Sequence, residues 1–437
     1  MKNLYLLAAV VLGSLMLSCS SEDEENLGEA KKVVNMVSEA QPIELTMEQK
    51  QFANDNNGFT LNFLKTVNET DRSGKSYIYS PLSITYVLGM VNDAAVGETE
   101  KELERTLGFH EGGIQAVNDY CKKLIEGLPK VDEKVTLNIA NALFVNKNKA
   151  QLKPQFQQDM QQYYEAKVEN LDFSSSATLG IINDWCNDHT NGMIPKILDK
   201  VDSGILTYLL NAIYFKADWA SKFDVNNTKM ETFHSEKGKV EMPLMHQKVL
   251  ISYLQNDVYS SVIIPYGSGL WNMTVLLPEE GISIDDVINE VTTNNPHLLN
   301  DNNGWCGTGM NVYQAYEVDL KLPRFETNSD TDDIVGGLVG ILQKMGIRRA
   351  FTDVLAEIPD MCNVPVYIDM MRQKAAIKVN EEGSEAAAVT VGGVTNYSVS
   401  APIEYPKATF YANRPFVYVI SEASSGVILF VGKFMGE

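Results

Sequence analysis

The stretch from Gln373 to Thr390 limits the folds open to this chain more than any other. Residues 376–380 read as the end of a strand and Glu381-Glu382-Gly383 as a break. From Ser384 onward, Glu385, Ala386, Ala387, Ala388 and Thr390 make a run without one large apolar anchor. Such a run cannot build a core, because folding is driven by burial of apolar area. It can slip between two strands that already exist. Side chains alternate between the faces of a strand, so Ser384, Ala386, Ala388 and Thr390 would point together beneath the sheet, while Glu385 and Ala387 face solvent. Local propensity leaves a second reading open, an Ala-rich helix or a flexible linker, since Glu and Ala are good helix formers.

The chain has 437 residues, 44% of them hydrophobic and 21% charged, enough for an ample core. Its net charge of −21 argues against a nucleic-acid groove, which needs clustered Lys and Arg, and serves solubility instead. Residues 4–17 form an apolar run ending at Ser18-Cys19. That run is shorter than the roughly 20 residues of a membrane-spanning helix and suits a secretory signal with a small residue at the cut. It resembles a bacterial lipoprotein signal, in which Cys19 would become the lipidated first residue. The acidic stretch Ser20-Ser21-Glu22-Asp23-Glu24-Glu25 resembles a tag for the outer face of the outer membrane. The expectation is a signal over 1–18, an acidic tether over 19–45 and one domain over 46–437. The site would be the cell surface, or otherwise the periplasm or medium if the signal is a plain one.

Thr46-Met47-Glu48-Gln49 has the form of a capping box, and Phe52, Phe59, Phe63 and Val67 follow at helical spacing. A short strand at Tyr77-Ile78-Tyr79 meets a Pro81-started helix, and Gly97 opens another that ends near Gly108. Strands are expected over 135–145, over 206–215 as a continuous apolar run covered on both faces, within 249–277 and over 316–325. Helices are expected over 181–190 and 334–345, and a closing hairpin pairs 416–420 with 427–431. Helices come first and strands concentrate late, an α+β unit without internal repeat.

A search for catalytic chemistry finds no constellation. None of the five histidines, His110, His189, His234, His246 and His297, forms HExxH, and there is no GxSxG elbow, P-loop or GxGxxG. Gly267-Ser268-Gly269 reads as a hairpin turn. Asp332-Asp333 and Glu381-Glu382 read as solvated pairs. Cys121, Cys186, Cys306 and Cys362 contain no CxxC, so neither a zinc site nor a disulfide framework is indicated, and a single bridge stays open. The chain is expected to be no enzyme and to need no cofactor or metal.

Several stretches, in order, resemble one family, the serpins. Glu381-Glu382-Gly383-Ser384-Glu385-Ala386-Ala387-Ala388 resembles its loop hinge. Ser80-Pro81-Leu82-Ser83, Gly97-Glu98-Thr99, Asn141-Ala142-Leu143-Phe144 and Asn183-Asp184-Trp185 with Thr190-Asn191-Gly192 are similar to family segments. So are the run from Leu210 to Trp219, Leu322-Pro323-Arg324-Phe325, Asn413-Arg414-Pro415-Phe416 and the run from Ile428 to Lys433. The resemblance implies an α+β fold of three β-sheets, eight or nine helices and an exposed reactive centre loop that acts as protease bait. A serine protease would attack the bait, form an acyl ester and be trapped when the cut loop inserts into the central sheet. Displacement of its oxyanion hole would cost about 10²–10³ in rate, so the ester would outlive its normal hydrolysis. Small hinge residues favour rapid insertion, which separates an inhibitor from a non-inhibitory binding or scaffold relative.

The family's spacing from Gly383 gives the reactive bond as Tyr397-Ser398, suited to a chymotrypsin-like slot. The long span to Asn413 leaves Ser400-Ala401 open as an alternative, with elastase-like targets. Ser80, Ser83, Asn211 and Gln373 are the residues that the resemblance places as a sheet-opening cluster. Gln373 stands where many relatives carry His; it keeps donor and acceptor capacity and loses any titration. The expected partners are serine proteases, with cysteine proteases open, and a membrane through the N-terminal lipid. Nucleic acid is not expected, and the chain is expected to be a monomer.

Overall fold

The first helix begins on a reciprocal cap. Thr46 Oγ1 accepts from Gln49 N at 3.2 Å, and Thr46 N donates to Gln49 Oε1 at 3.1 Å, which satisfies two otherwise orphaned helix-end donors. In the computed structural model the described residues are 40–110, 112–294, 314–384 and 404–437, all within the compact unit Val33–Glu437.

In chain order the early elements are α1 (Met47–Thr70), β1 (Tyr77–Tyr79), α2 (Pro81–Ala94), α3 (Gly97–Leu107) and α4 (Gly113–Gly127). β2 (Val135–Asn146), α5 (Pro154–Tyr164), β3 (Lys167–Leu171), α6 (Ala177–His189) and β4 (Thr207–Asp218) follow. Next come β5 (Lys229–Ser235), β6 (Gly238–Gln255), β7 (Tyr259–Tyr266), β8 (Trp271–Pro278) and α7 (Ile284–Asn289). The last are β9 (Gln314–Pro323), β10 (Phe325–Asp330), α8 (Gly337–Met345), β11 (Met370–Val379), β12 (Gly383–Ser384), β13 (Lys407–Tyr411), β14 (Phe416–Glu422) and β15 (Ile428–Phe434). Among the described residues that makes eight α-helices.

The strands form two hydrogen-bonded networks where three sheets were expected. A nine-stranded one runs β1-β15-β14-β8-β7-β6-β9-β13, with β5 also on β6. A six-stranded one runs β10-β11-β12-β4-β2-β3. The difference lies in β6. Its first half pairs with β5 and its last residues with β7, while β9 lies along its other edge. Two of the expected sheets therefore share one long strand.

The central six-stranded sheet is buried on both faces, as the apolar run in β4 predicts. Leu209, Ile213, Phe215 and Ala217 face the main core. The alternate residues Tyr208, Leu210 and Ala212 face a second core, where Ile182, Trp185 and Cys186 of α6 with Ile194, Ile197 and Leu198 cover the sheet. Asn183 holds that cover in place: its Oδ1 accepts from Ile197 N and Leu198 N, both at 2.9 Å.

The sequence reading passed over several elements. In α4 the buried Val117, Tyr120, Cys121 and Leu124 recur at helical spacing, and in α5 Phe156, Met160 and Tyr164 follow a first-turn Pro154. The edge strands β3 and β5 carry few buried residues. The domain boundary also moves. The packed body already includes residues assigned to the tether: Gln41 N donates to Val131 O at 2.7 Å, Ile43 N donates to Ser424 Oγ at 2.8 Å, and Ile43 and Leu45 are buried in the main core. Two apolar residues in a polar stretch were too sparse to show a period.

Ile43 sits against Gly127 at the end of α4. Ile43→Ala should lower the free energy of unfolding by about 2–3 kcal/mol, whereas the exposed Met47→Ala should change it by less than about 0.5 kcal/mol. Urea unfolding of the two variants checks this.

Candidate functional site: a forked seam and its hinge

The main-chain pairing between β4 and β11 stops half way. They pair in parallel from Met370 with Tyr208 to Lys374 with Ala212. Above that level, β12 lies between them: Ser384 pairs with both Ala217 and Val379, and Gly383 with Asp218. Between Lys374 and Val379 on one side, and Ala212 and Ala217 on the other, no pairing joins the two strands among the described residues. Neighbouring strands lie about 4.8 Å apart, so the strands are one spacing apart at the bottom and about two at the top. The seam is a fork with a two-residue strand already seated in its mouth.

The fork closes on a buried polar cluster. Gln373, level with Asn211, accepts through Oε1 from Ser80 N at 2.9 Å. Through Nε2 it donates to Ser80 O at 2.9 Å and to Asn211 Oδ1 at 3.1 Å. Ser80 Oγ donates to Ser83 Oγ at 3.1 Å, at the start of α2. The structure thus brings together all four residues, Ser80, Ser83, Asn211 and Gln373, each at most 1% exposed. It adds two that sequence reasoning missed. Thr331 Oγ1 accepts from Gln373 N at 3.0 Å, and Asn141 Oδ1 accepts from Asn211 Nδ2 at 3.0 Å. Asn141 stood within a quoted motif, so a signal existed; Thr331 carried none.

The hinge is held by a tight turn and by charge. Asn380 N donates to Gly383 O at 2.9 Å, and Gly383 N returns to Asn380 O at 3.2 Å. Gly383 has φ 155°, and a Cβ there would meet the backbone of Ala217 and Asp218. Glycine is thus required by a close approach between strands. Ser384 is fully buried, and its Oγ lies 2.8 Å from the hydroxyl of Tyr266, which burial keeps protonated. Trp219 stacks on Tyr266 with ring centroids 4.3 Å apart. It donates N to Glu382 O at 2.7 Å and Nε1 to Asn380 O at 2.9 Å.

The two acids of the hinge are not the solvated pair the sequence led us to expect. Glu381 is 4% exposed, takes Arg324 at 2.5 Å and accepts from Thr228 Oγ1 at 2.6 Å. Glu382 takes Lys222 at 2.5 Å, and Lys222 also reaches Asp218 at 2.9 Å. Asp332 likewise pairs with Arg372 at 3.2 Å. In each case a cation distant in sequence covers the acid. Burial raises the affinity of Glu381 for a proton, but the hydrogen bonds from Arg324 and Thr228 outweigh it and hold its pKa below the ordinary value.

Glu385, Ala386, Ala387 and Ala388 of the hinge lie outside the described residues, as do Tyr397, Ser398, Ser400, Ala401 and Cys19. Cys121, Cys186 and Cys362 are buried free thiols. Among the described residues no cluster of His, Cys, Asp or Glu could hold a metal, and no helix is long and apolar enough to cross a membrane.

A family model described as Serpin (serine protease inhibitor) matches residues 54–436. The chain is 31% identical over 396 residues to the leukocyte elastase inhibitor of Sus scrofa, covering 89% of this chain and 99% of that protein. A crystal structure of the thermophilic serpin tengpin in the native state superposes with TM-score 0.77 at 25% identity, over 92% of this chain and 98% of that one. Human thyroxine-binding globulin complexed with thyroxine superposes with TM-score 0.73 at 26% identity, over 88% of this chain and 97% of that one.

Glu381 has a folded pKa below its unfolded value, so its contribution to stability is complete above the ordinary value of 4.5 and is lost as pH falls through the folded value. Glu381→Gln should cost about 1.5–3 kcal/mol at pH 7, near the lower end because Arg324 is 44% exposed. The difference from the parent should shrink as pH falls below that ordinary value. Urea midpoints of both proteins at pH 7 and pH 3.5 measure it.

Proposed function

The chain belongs to the serpin family, and from that premise we propose that it is a suicide-substrate inhibitor of serine proteases. The observation that carries the proposal is the seat of Gly383 and Ser384 in the mouth of the forked seam. A strand entering there lies between β4 and β11 where, among the described residues, no ladder joins the two, and it can form one with each.

The register also favours this reading. If β12 were to lengthen one residue at a time, Ala386 would come level with Phe215 and Ile377, and Ala388 with Ile213 and Ala375. Thr390 would come level with both Asn211 and Gln373. The inward positions of the entering strand are small where the flanking residues are apolar, and hydroxyl-bearing where they are polar. A cut loop moving in this way would carry an acylated protease to the far end of the sheet and distort its oxyanion hole.

For the bait we infer Tyr397-Ser398 and chymotrypsin-like targets, with Ser400-Ala401 and elastase-like targets as the alternative. The support is the family spacing and, for elastase, the similarity to the leukocyte elastase inhibitor. We further infer a lipid on Cys19 and attachment at the cell surface, on the sequence of the first 25 residues, and, separately from that stretch, a monomeric state. The second reading, a non-inhibitory binding protein, draws on the likeness to thyroxine-binding globulin. The small hinge residues favour the first.

Incubation with chymotrypsin or elastase should give an SDS-resistant complex, and the cut chain should gain heat resistance. Because Ser384 is fully buried, Ser384→Arg should still be cut but should lose at least about tenfold in complex yield, since a charge cannot enter that seat unpaired. Cleavage of the parent without complex or heat resistance would favour the binding-protein reading.

A further inference from the structure

The buried carboxylate of Asp132 does not touch the hinge, yet it anchors the turn against which the hinge lies. Asp132 sits in the connection before β2 and is 2% exposed. Its Oδ1 accepts from Lys134 N at 2.9 Å, and its Oδ2 accepts from Ser268 N at 2.5 Å. Ser268 belongs to the turn between β7 and β8. There Gly267 takes φ 51°, and a Cβ would run into the Asp132 carboxylate, so glycine is what lets the acid come so close.

From that turn two short routes lead to the hinge. Gly267 N donates to Asp218 O at 2.8 Å, and Asp218 is the register partner of Gly383. One residue earlier, Tyr266 stacks on Trp219 and meets Ser384 through its hydroxyl. Hydrogen bonds from backbone N–H to an ionised carboxylate are shorter and stronger than neutral ones. An amide of the same size presents two donors on one arm and cannot accept from both N–H groups there.

We propose that Asp132 is a positioning residue of the hinge, holding the 266–269 turn where Tyr266 and Asp218 seat Gly383 and Ser384 in the fork. Its consequence for inhibition rests on the reading above; its structural content does not. With the seat loosened, insertion starts more slowly, and more of the acyl ester is hydrolysed by water, freeing the protease and leaving a cleaved chain, before the protease is trapped. The fully inserted form depends mainly on the long ladders and changes little.

The test is a double-mutant cycle on the full chain with Asp132→Asn and Ser384→Ala, read as amide hydrogen exchange over residues 380–384 at neutral pH. Asp132→Asn should speed exchange by about tenfold. The double variant should exchange no faster than the faster single variant, because both remove the same seat. Effects that multiply, as two independent structural losses would, overturn the proposal, as does unchanged exchange in Asp132→Asn. If that variant does not fold, Asp132→Ser, which retains one acceptor, takes its place in the cycle. Alongside, Asp132→Asn should raise several-fold the amount of inhibitor consumed per chymotrypsin trapped, with the heat resistance of the cut form unchanged. A parent chain that forms no trapped complex refutes the inhibitory reading and leaves the exchange cycle decisive for Asp132.

Discussion

The three side-chain hydrogen bonds of Gln373 fix the point at which the central sheet forks. Below them β11 and β4 are paired; above them, among the described residues, no ladder joins the two strands at the inward Ala375 and Ile377 on one side and Ile213 and Phe215 on the other. Each hydrogen bond of this kind is worth only about 0.5–1.5 kcal/mol net, so the crotch of the fork is held weakly in absolute terms. It resists opening because parting the strands without a replacement would leave Ser80 N, Asn211 Oδ1 and the Gln373 amide buried and unpaired, at about 1–3 kcal/mol for each. A partner that brings its own donors removes that penalty. The lock is therefore selective: thermal fluctuation meets the full cost, and an entering strand of suitable chemistry does not.

The upper end of the fork is built on the opposite principle. There the hinge is already seated, and the contacts that hold it come from the other sheet and from the segments that join the two sheets. Tyr266 lies in β7, Trp219, Lys222 and Thr228 between β4 and β5, and Arg324 between β9 and β10. Glu381 and Glu382 are acids in a buried turn only because these partners are present. Removing one partner of such a pair leaves a buried charge, which is far more costly than the pair itself is stabilising. The mouth thus keeps Gly383 and Ser384 in register, and the sequence that follows them is, after Glu385, a run of small residues. On the proposed insertion, its start and its continuation would rest on different chemistry: charge and a glycine-sized gap at the mouth, slender side chains in the sequence that follows.

How much of this could be read from residues alone varies with the kind of interaction. The helical period of α1, the Pro81 start of α2, the doubly buried β4 and the closing hairpin were legible because each is a local pattern. The four-residue polar cluster followed from the family resemblance and not from local pattern, since a serine at a helix start or an asparagine in an apolar strand has many ordinary explanations. The salt-bridged state of Glu381 was not legible. Its partner Arg324 lies 57 positions away, and nothing in Glu381-Glu382-Gly383 distinguishes a covered acid from a solvated one. The sharing of β6 between two sheets was hidden for a related reason. A strand's edges are chosen by tertiary pairing, and the sequence of β6 shows only that it is extended. Asp132 was invisible because its role depends on the approach of Gly267 from a distant hairpin.

With an amide at Gln373, the polar cluster at the crotch of the seam has no titrating member, while the mouth has Glu381. Ser80, Ser83, Asn141, Asn211, Thr331 and Gln373 carry no group that ionises in the ordinary pH range, so the hydrogen bonds among these side chains do not themselves titrate. The acid Glu381, with its lowered pKa, sits at the other end. Protonating it would loosen the turn that seats Ser384 without touching the polar cluster. Acid therefore acts on the seat of Gly383 and Ser384 through Glu381 and not through the polar cluster. A histidine in place of Gln373 would change that, since a buried ring gaining charge would strain the closed fork directly.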